Sequence, residues 1–277
     1  MWRVVFIISL IVFVCAAGAL AFIGYGYWHG QQNNKQLEQI GFNAPDAAAV
    51  QRMDLASFTV DWDALRAINP DVVGWIYVPG TTVNFPIVHG TDDEHYLKTD
   101  FYGQTSWVSF GSIFLSAANA ADFSDANNIV YGHHMNDGSM FSPFADFGDA
   151  DTFNGHRTVY VFTPTANYQL TTFSIVHCAA DDPLAQTAFA SEQERQAYVQ
   201  DKVDRSVVTV AGLPSAADMK HTFAFSTCDN LASNGRWVLF AYESGSTAAA
   251  SSVVAEDSNI NPEDVAAVSE AAKETAA

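Results

Sequence analysis

Val72-Val73-Gly74-Trp75-Ile76-Tyr77-Val78-Pro79-Gly80-Thr81-Thr82-Val83-Asn84-Phe85-Pro86-Ile87-Val88 reads as a strand, a turn and a returning strand. The first run is β-branched and aromatic, Pro79-Gly80-Thr81-Thr82 carries turn chemistry, and Val83 to Val88 is apolar again. The same punctuation recurs downstream, with strands expected at Ser112 to Leu115, Asn128 to Tyr131, Arg157 to Thr163, Tyr168 to Cys178, Thr222 to Thr227 and Arg236 to Tyr242. This is the pattern of an antiparallel sandwich or barrel, and eight strands are enough to close a small barrel and remove its edges. The fold class expected is mainly β.

Helical pieces flank and interrupt the strands. Asp61 can cap a helix through Ile68, which Asn69-Pro70 ends. A short helix is expected from Ser139 to Phe147, and a longer one from Ser191 to Asp204, opened by a capping serine and a following glutamate. No internal repeat is visible.

The 277-residue chain can bury one good-sized core, or two small ones. Twelve basic residues stand against 31 acidic ones, with no cluster of Lys and Arg of the kind that phosphate binding needs. Nucleic acid is therefore not an expected partner, and the acidity serves solubility.

From Val4 to Tyr27 there is no charged residue, a run long enough to cross a bilayer as a helix. Arg3 is the nearby base, so the amino end is expected in the cytoplasm and the rest outside. Ala19-Leu20-Ala21 also resembles a signal-peptide cleavage site, but the apolar run continues through Phe22, Ile23, Tyr25, Tyr27 and Trp28, which favours an uncleaved anchor. Val14 and Phe13 before Cys15 argue against lipoprotein processing. The expected organisation is an anchor over 1–28, a Gln-, Asn- and Ala-rich stalk or helix over 29–56, a folded domain over 57–243, and a disordered tail of Ser, Ala and acidic residues over 244–277.

Two distant segments carry the chemistry: Tyr131-Gly132-His133-His134-Met135, and Ser226-Thr227-Cys228-Asp229 with Arg236 after a short loop. A thiol that attacks a carbonyl needs a base to take its proton and an acid to protonate the leaving amine, and one imidazole can do both. An arginine keeps its charge and can hold a developing oxyanion. Cys228 leaves an apolar strand for a polar loop, an accessible place for a reactive thiol. Acyl transfer is the reaction class these residues fit.

Blander readings exist for each. Cys228 could be a structural cysteine, or could pair with Cys178, although Cys178 ends an apolar stretch and reads as a buried free thiol. His133 and His134 could be a surface pair, or could bind metal with His156 or His177, but no known zinc spacing is present. Arg236 could simply pair with Asp229 or Glu243. Consecutive side chains leaving a strand point to opposite faces, so one histidine of the pair is expected to face the thiol.

Taken together, the segments Asn69 to Ile76, Asn84 to Val88, Tyr96-Leu97, Gly111 to Phe114, Asn128 to Met135, Asp137 to Phe141 and Ser226 to Cys228 resemble the sortases, most closely class B. These are membrane-anchored cysteine transpeptidases of Gram-positive bacteria. The resemblance implies an eight-stranded sortase barrel with an amino-terminal helix and an extra helix before the cysteine strand, which suits Ser191 to Asp204. It implies Cys228 as nucleophile, His133 as the catalytic histidine with His134 its neighbour, Arg236 as the oxyanion or substrate-positioning cation, and the Asp229 N–H as a further oxyanion donor. It implies no cofactor. Expected partners are secreted proteins with an Asn-Pro-x-Thr or Leu-Pro-x-Thr sorting signal near the carboxyl end, and an amine of a cell-wall peptide or a pilin lysine as acceptor. A cysteine protease or amidase with water as acceptor, or an anchored β-domain that binds a wall component, are the alternatives.

Overall fold

The computed structural model describes residues 2–43, 55–105, 110–182, 186–229 and 235–248. A short ladder of β1 (Phe42–Asn43) and β2 (Thr59–Val60) precedes the eight expected strands: β3 (Val72–Tyr77), β4 (Asn84–His89), β5 (Ile113–Leu115), β6 (Asn127–Tyr131), β7 (Thr158–Phe162), β8 (Ala166–Ala179), β9 (Thr222–Cys228) and β10 (Gly235–Ala248). These eight close into a barrel in the order β10-β8-β7-β3-β4-β5-β6-β9. Two junctions depart from the antiparallel pattern, since β4 pairs with β5 and β6 with β9 in parallel. Parallel neighbours need long connections, and the chain supplies them between β4 and β5 and between β6 and β9.

Three apolar clusters explain why several strands read as nearly continuous hydrophobic runs. The barrel interior takes Ile76, Phe85, Ile87, Val130, Phe223, Phe225 and Leu239. On the outer face of β3, β4 and β7, Trp75, Val88, Tyr160 and Phe162 pack under Leu37, Phe42, Phe58 and Leu65. Trp75 stacks on Phe42 at 5.3 Å and donates its indole N–H to Asn84 Oδ1 at 2.6 Å, so its polar end is satisfied despite burial. On the outer face of β6, β8, β9 and β10, Ile129, Val176, Ala224, Val238 and Phe240 pack against Tyr198 and Val199. Both faces of these strands are thus covered.

Six helices surround the barrel among the described residues: α1 (Trp2–Gly41), α2 (Trp62–Ile68), α3 (His95–Lys98), α4 (Pro143–Asp146), α5 (Ala150–Gly155) and α6 (Glu192–Asp204). The caps expected from sequence form. Asp61 accepts from the Ala64 N–H at 2.9 Å, and Ser191 accepts from the Glu194 N–H at 3.2 Å. The helix expected from Ser139 is shorter and starts at Pro143, where a missing N–H costs nothing. Four-residue α3 and the Asp149-capped α5 carried no periodic signal long enough to be read.

Helix α1 runs unbroken to Gly41, so of the stalk and helix alternatives for this stretch the helix holds as far as Gly41, while 44–54 lie outside the described residues. One boundary differs from expectation. At the other end β10 continues past Glu243 to Ala248, paired with β8 back to Ala166. Main-chain pairing needs no apolar side chains, and Ser244 Oγ donates to the Gln169 carbonyl at 3.1 Å. Residues from 249 onward lie outside the described residues.

Candidate active site

Side-chain alternation sorts the ends of three adjacent strands. In β9, Phe223 and Phe225 point into the barrel, so Ala224, Ser226 and Cys228 face outward. In β10, Leu239 and Ala241 point inward and Val238 and Phe240 outward, so Arg236 shares the outer face. In β6, Val130 is inside and Ile129 outside, which puts Tyr131 and, two residues on, His133 on that same side.

Register then brings them to one level. Cys228 lies directly opposite Arg236. The neighbouring pair Asp229 and Gly235 is hydrogen-bonded, with the Asp229 N–H donating to Gly235 O at 3.0 Å. Alternation along an antiparallel ladder makes Cys228 and Arg236 a non-hydrogen-bonded pair, the kind whose Cα atoms approach to about 4.5 Å and whose side chains are closest. On the other side β6 runs parallel, Tyr131 opposite Ser226, and the Gly132 N–H donates to Ser226 O at 3.1 Å. The thiol therefore sits between the strand end that carries His133 and the strand start that carries Arg236.

The histidines are held differently. His133 Nε2 lies 2.6 Å from Leu97 O. A carbonyl can only accept, so Nε2 carries the proton and the other ring nitrogen, Nδ1, is left to take and return one. Beneath the ring is Gly111, at φ +53°, where a Cβ would come within 2.7 Å of Tyr96 O, 2.9 Å of Leu97 O and 3.0 Å of His133 Cδ2. His134 uses Nδ1 to reach the carbonyl of Cys228 itself at 2.9 Å. It thus pins the main chain of the cysteine.

Replacing Gly111 by alanine is expected to lower stability by about 1–2 kcal/mol, because the residue would sit in the left-handed region. The added methyl must also displace either the Leu97 carbonyl or the His133 ring, so activity should fall about ten- to a hundredfold. Thermal unfolding and steady-state rates on the same preparation check both effects.

On the inner face beneath the cysteine, the buried Asp229 carboxylate accepts from His177 at 2.9 Å, and His177 stacks on Trp237 at 4.4 Å. This positioning contact was not legible from sequence, since it joins residues 52 positions apart through the barrel closure. The Asp229 N–H, expected to face an oxyanion, is instead committed to Gly235 O. Asp229 also takes His177, Glu243 takes His221 at 2.5 Å, and one Arg236 Nη1–H donates to Gly235 O at 3.0 Å.

Cys178 stands opposite Arg236 on the far strand β8. Cys178 and Cys228 are both free, and two strand spacings of about 4.8 Å exceed the reach of a disulfide. Burial first, and then the charge of Asp182, pushes the Cys178 thiol up to about 11. At pH 8 about one molecule in a thousand would hold it as thiolate. A methanethiosulfonate reagent at that pH is expected to modify Cys228 and leave Cys178 unmodified, as peptide mapping would read. The four imidazoles considered as metal ligands are engaged elsewhere: His133 with Leu97, His134 with Cys228, His156 with Pro79 at 3.1 Å and His177 with Asp229.

Comparison with known proteins adds to this geometry. The chain is 29% identical to Sortase B of Listeria monocytogenes over 218 residues, covering 76% of this chain and 86% of that protein. It is 30% identical to Sortase B of Staphylococcus aureus over 169 residues, covering 61% of this chain and 68% of that one. The solved structure of sortase B from Bacillus anthracis in complex with AAEK1 superposes with a TM-score of 0.66 at 27% identity, covering 79% of this chain and 98% of that one. No family model matches the chain.

Proposed function

This chain belongs to the sortase family of cysteine transpeptidases and is class B-like, and on that premise we propose that Cys228, His133 and Arg236 are its catalytic residues, acting on a carboxyl-terminal sorting signal. With the thiol proton held on His133 Nδ1, Cys228 Sγ attacks the carbonyl carbon of the signal's threonine, and the electron pair moves to the carbonyl oxygen. Arg236, opposite the thiol, stabilises that oxyanion. Collapse breaks the C–N bond, His133 gives its proton to the departing amine, and a thioacyl enzyme remains. An acceptor amine, from a cell-wall peptide or a pilin lysine, then attacks the thioester, passes a proton to His133 and expels the thiolate.

The observation that supports this reading most is the close pairing of Cys228 with Arg236 beside the strand end that carries His133. The class B likeness favours an Asn-Pro-x-Thr signal over Leu-Pro-x-Thr. Helix α1 is long and apolar enough to cross a membrane, and we assign it as an uncleaved anchor with the barrel on the outer face. The catalytic domain on this reading runs from residue 57 to the end of β10.

Mass spectrometry of the full chain in detergent, with peptides of both signal types and an amine acceptor, tests the proposal. A thioacyl adduct on Cys228 and an amine-dependent product support transpeptidation and identify the signal. Adduct whose product forms equally without amine would instead support hydrolysis, and no adduct with either peptide would overturn the substrate assignment.

A further inference from the structure

Helix α1 spans 40 residues, about 60 Å, twice what a hydrocarbon core requires. Its second half does not stand free. From Tyr27 to Asn34 the helix lies against the two segments that hold His133, and one turn on Leu37 packs into the apolar cluster on the outer face of β3, β4 and β7.

The first segment comprises residues 97–105, beginning at Leu97, the hydrogen-bond acceptor of His133, together with Phe110 and Gly111, on which the ring rests. Within it Phe110 meets Tyr27 edge-on at 5.6 Å, and a Cβ on Gly30 would come within 2.5 Å of the Phe110 ring. Asp100 takes a hydrogen bond from Asn33 and lies near His29; burial raises its pKa, opposed first by the Gln104 and Tyr102 N–H groups and then by these two helix residues. The second segment is the loop just after His133 and His134. Gln31 Nε2 donates to Asp137 Oδ2 at 2.9 Å, and Asn34 Nδ2 to Met140 Sδ at 3.8 Å. Met140 has φ +56°, a conformation that costs a non-glycine residue about 1–2 kcal/mol and persists only where neighbours enforce it. That loop closes on His133 through the Phe141 N–H, 3.0 Å from His133 O.

We propose that the Tyr27–Asn34 stretch of α1 is a positioning element of the active site, clamping the cradle of His133 from both sides. This rests on the proposed role of His133. The contacts begin at Tyr27, so they would survive even cleavage after Ala21. At Gly30 no larger residue fits without moving Phe110, next to the glycine under His133.

The test is Gly30→Ala in the full chain in detergent, a change that by itself favours helix. Transfer kcat is expected to fall about five- to fiftyfold, because small misplacements of an acid–base group are costly. KM and the rate of Cys228 labelling should stay within about twofold, and the limb of the pH–rate profile that reports the acid–base group should move. Phe110→Leu in the same chain should restore much of the loss, a coupling that distant independent sites lack. Should Gly30→Ala fail to fold, Gln31→Ala with Asn33→Ala removes clamp contacts without overpacking and should lower kcat by about threefold with the same profile shift. Wild-type kcat and pH profile in the folded variant, or an equal loss in Cys228 labelling, would overturn the inference. Cys228→Ala run alongside separates the two claims: transfer that survives it sinks the catalytic assignment, whereas a dead Cys228→Ala with a wild-type clamp variant sinks only the clamp.

Discussion

Replacing Cys228 by alanine is expected to abolish both cleavage of the sorting signal and transfer to amine, a loss of more than about a thousandfold, or about 4 kcal/mol of transition-state stabilisation. Cys228 is partly buried at a strand end on the outer face, and its main chain is held by ladder bonds and by His134 Nδ1 on the Cys228 carbonyl. None of these bonds uses the sulfur. The variant should therefore unfold within about 1 kcal/mol of the parent, so that the loss reads as lost chemistry. Loss of the thioacyl adduct in the mass spectrum, with an unchanged melting curve, is the expected pair of results. Transfer above about one per cent of the parent rate, on the same energy scale, would sink the nucleophile assignment.

His133→Ala should cost about a hundredfold to ten-thousandfold, the range for removing a general acid–base group. The Leu97 carbonyl that it leaves is near solvent and can turn to water, so the fold should survive. The acid–base limb of the pH–rate profile should vanish with the imidazole. His134→Ala is the informative comparison, because that ring touches the cysteine's carbonyl and, in this reading, holds the nucleophile's main chain. Its effect should be smaller, about tenfold, through misplacement of the thiol. If His134→Ala were the more damaging, the acid–base role would pass to His134.

The histidine pair shows where sequence reading stopped. Alternation along β6 said that the two rings diverge, and they do, one to the outer face beside Leu97 and the other to the main chain of Cys228. Gly111 was visible as part of a motif, yet that it lies under the His133 ring follows only from the path of the chain between β4 and β5. The Asp229 N–H looked like an oxyanion donor because it follows the nucleophile. It is taken by Gly235, since closure of the β9–β10 ladder needs that bond. The tail boundary erred for a related reason: composition predicts burial, and β10 extends past Glu243 by main-chain pairing that side-chain composition does not report.

The eight strands, the two capped helices α2 and α6, the apolar amino-terminal helix and the residue types of an acyl-transfer site are legible in the chain, because each rests on local periodicity, cap chemistry or a short motif. That β9 lies between β6 and β10, that Asp229 is bound from beneath by His177, and that α1 continues onto the loops around His133 emerge with the folded barrel. Those are contacts between residues dozens of positions apart. They are set by barrel closure and by the packing of both strand faces, which no local pattern encodes.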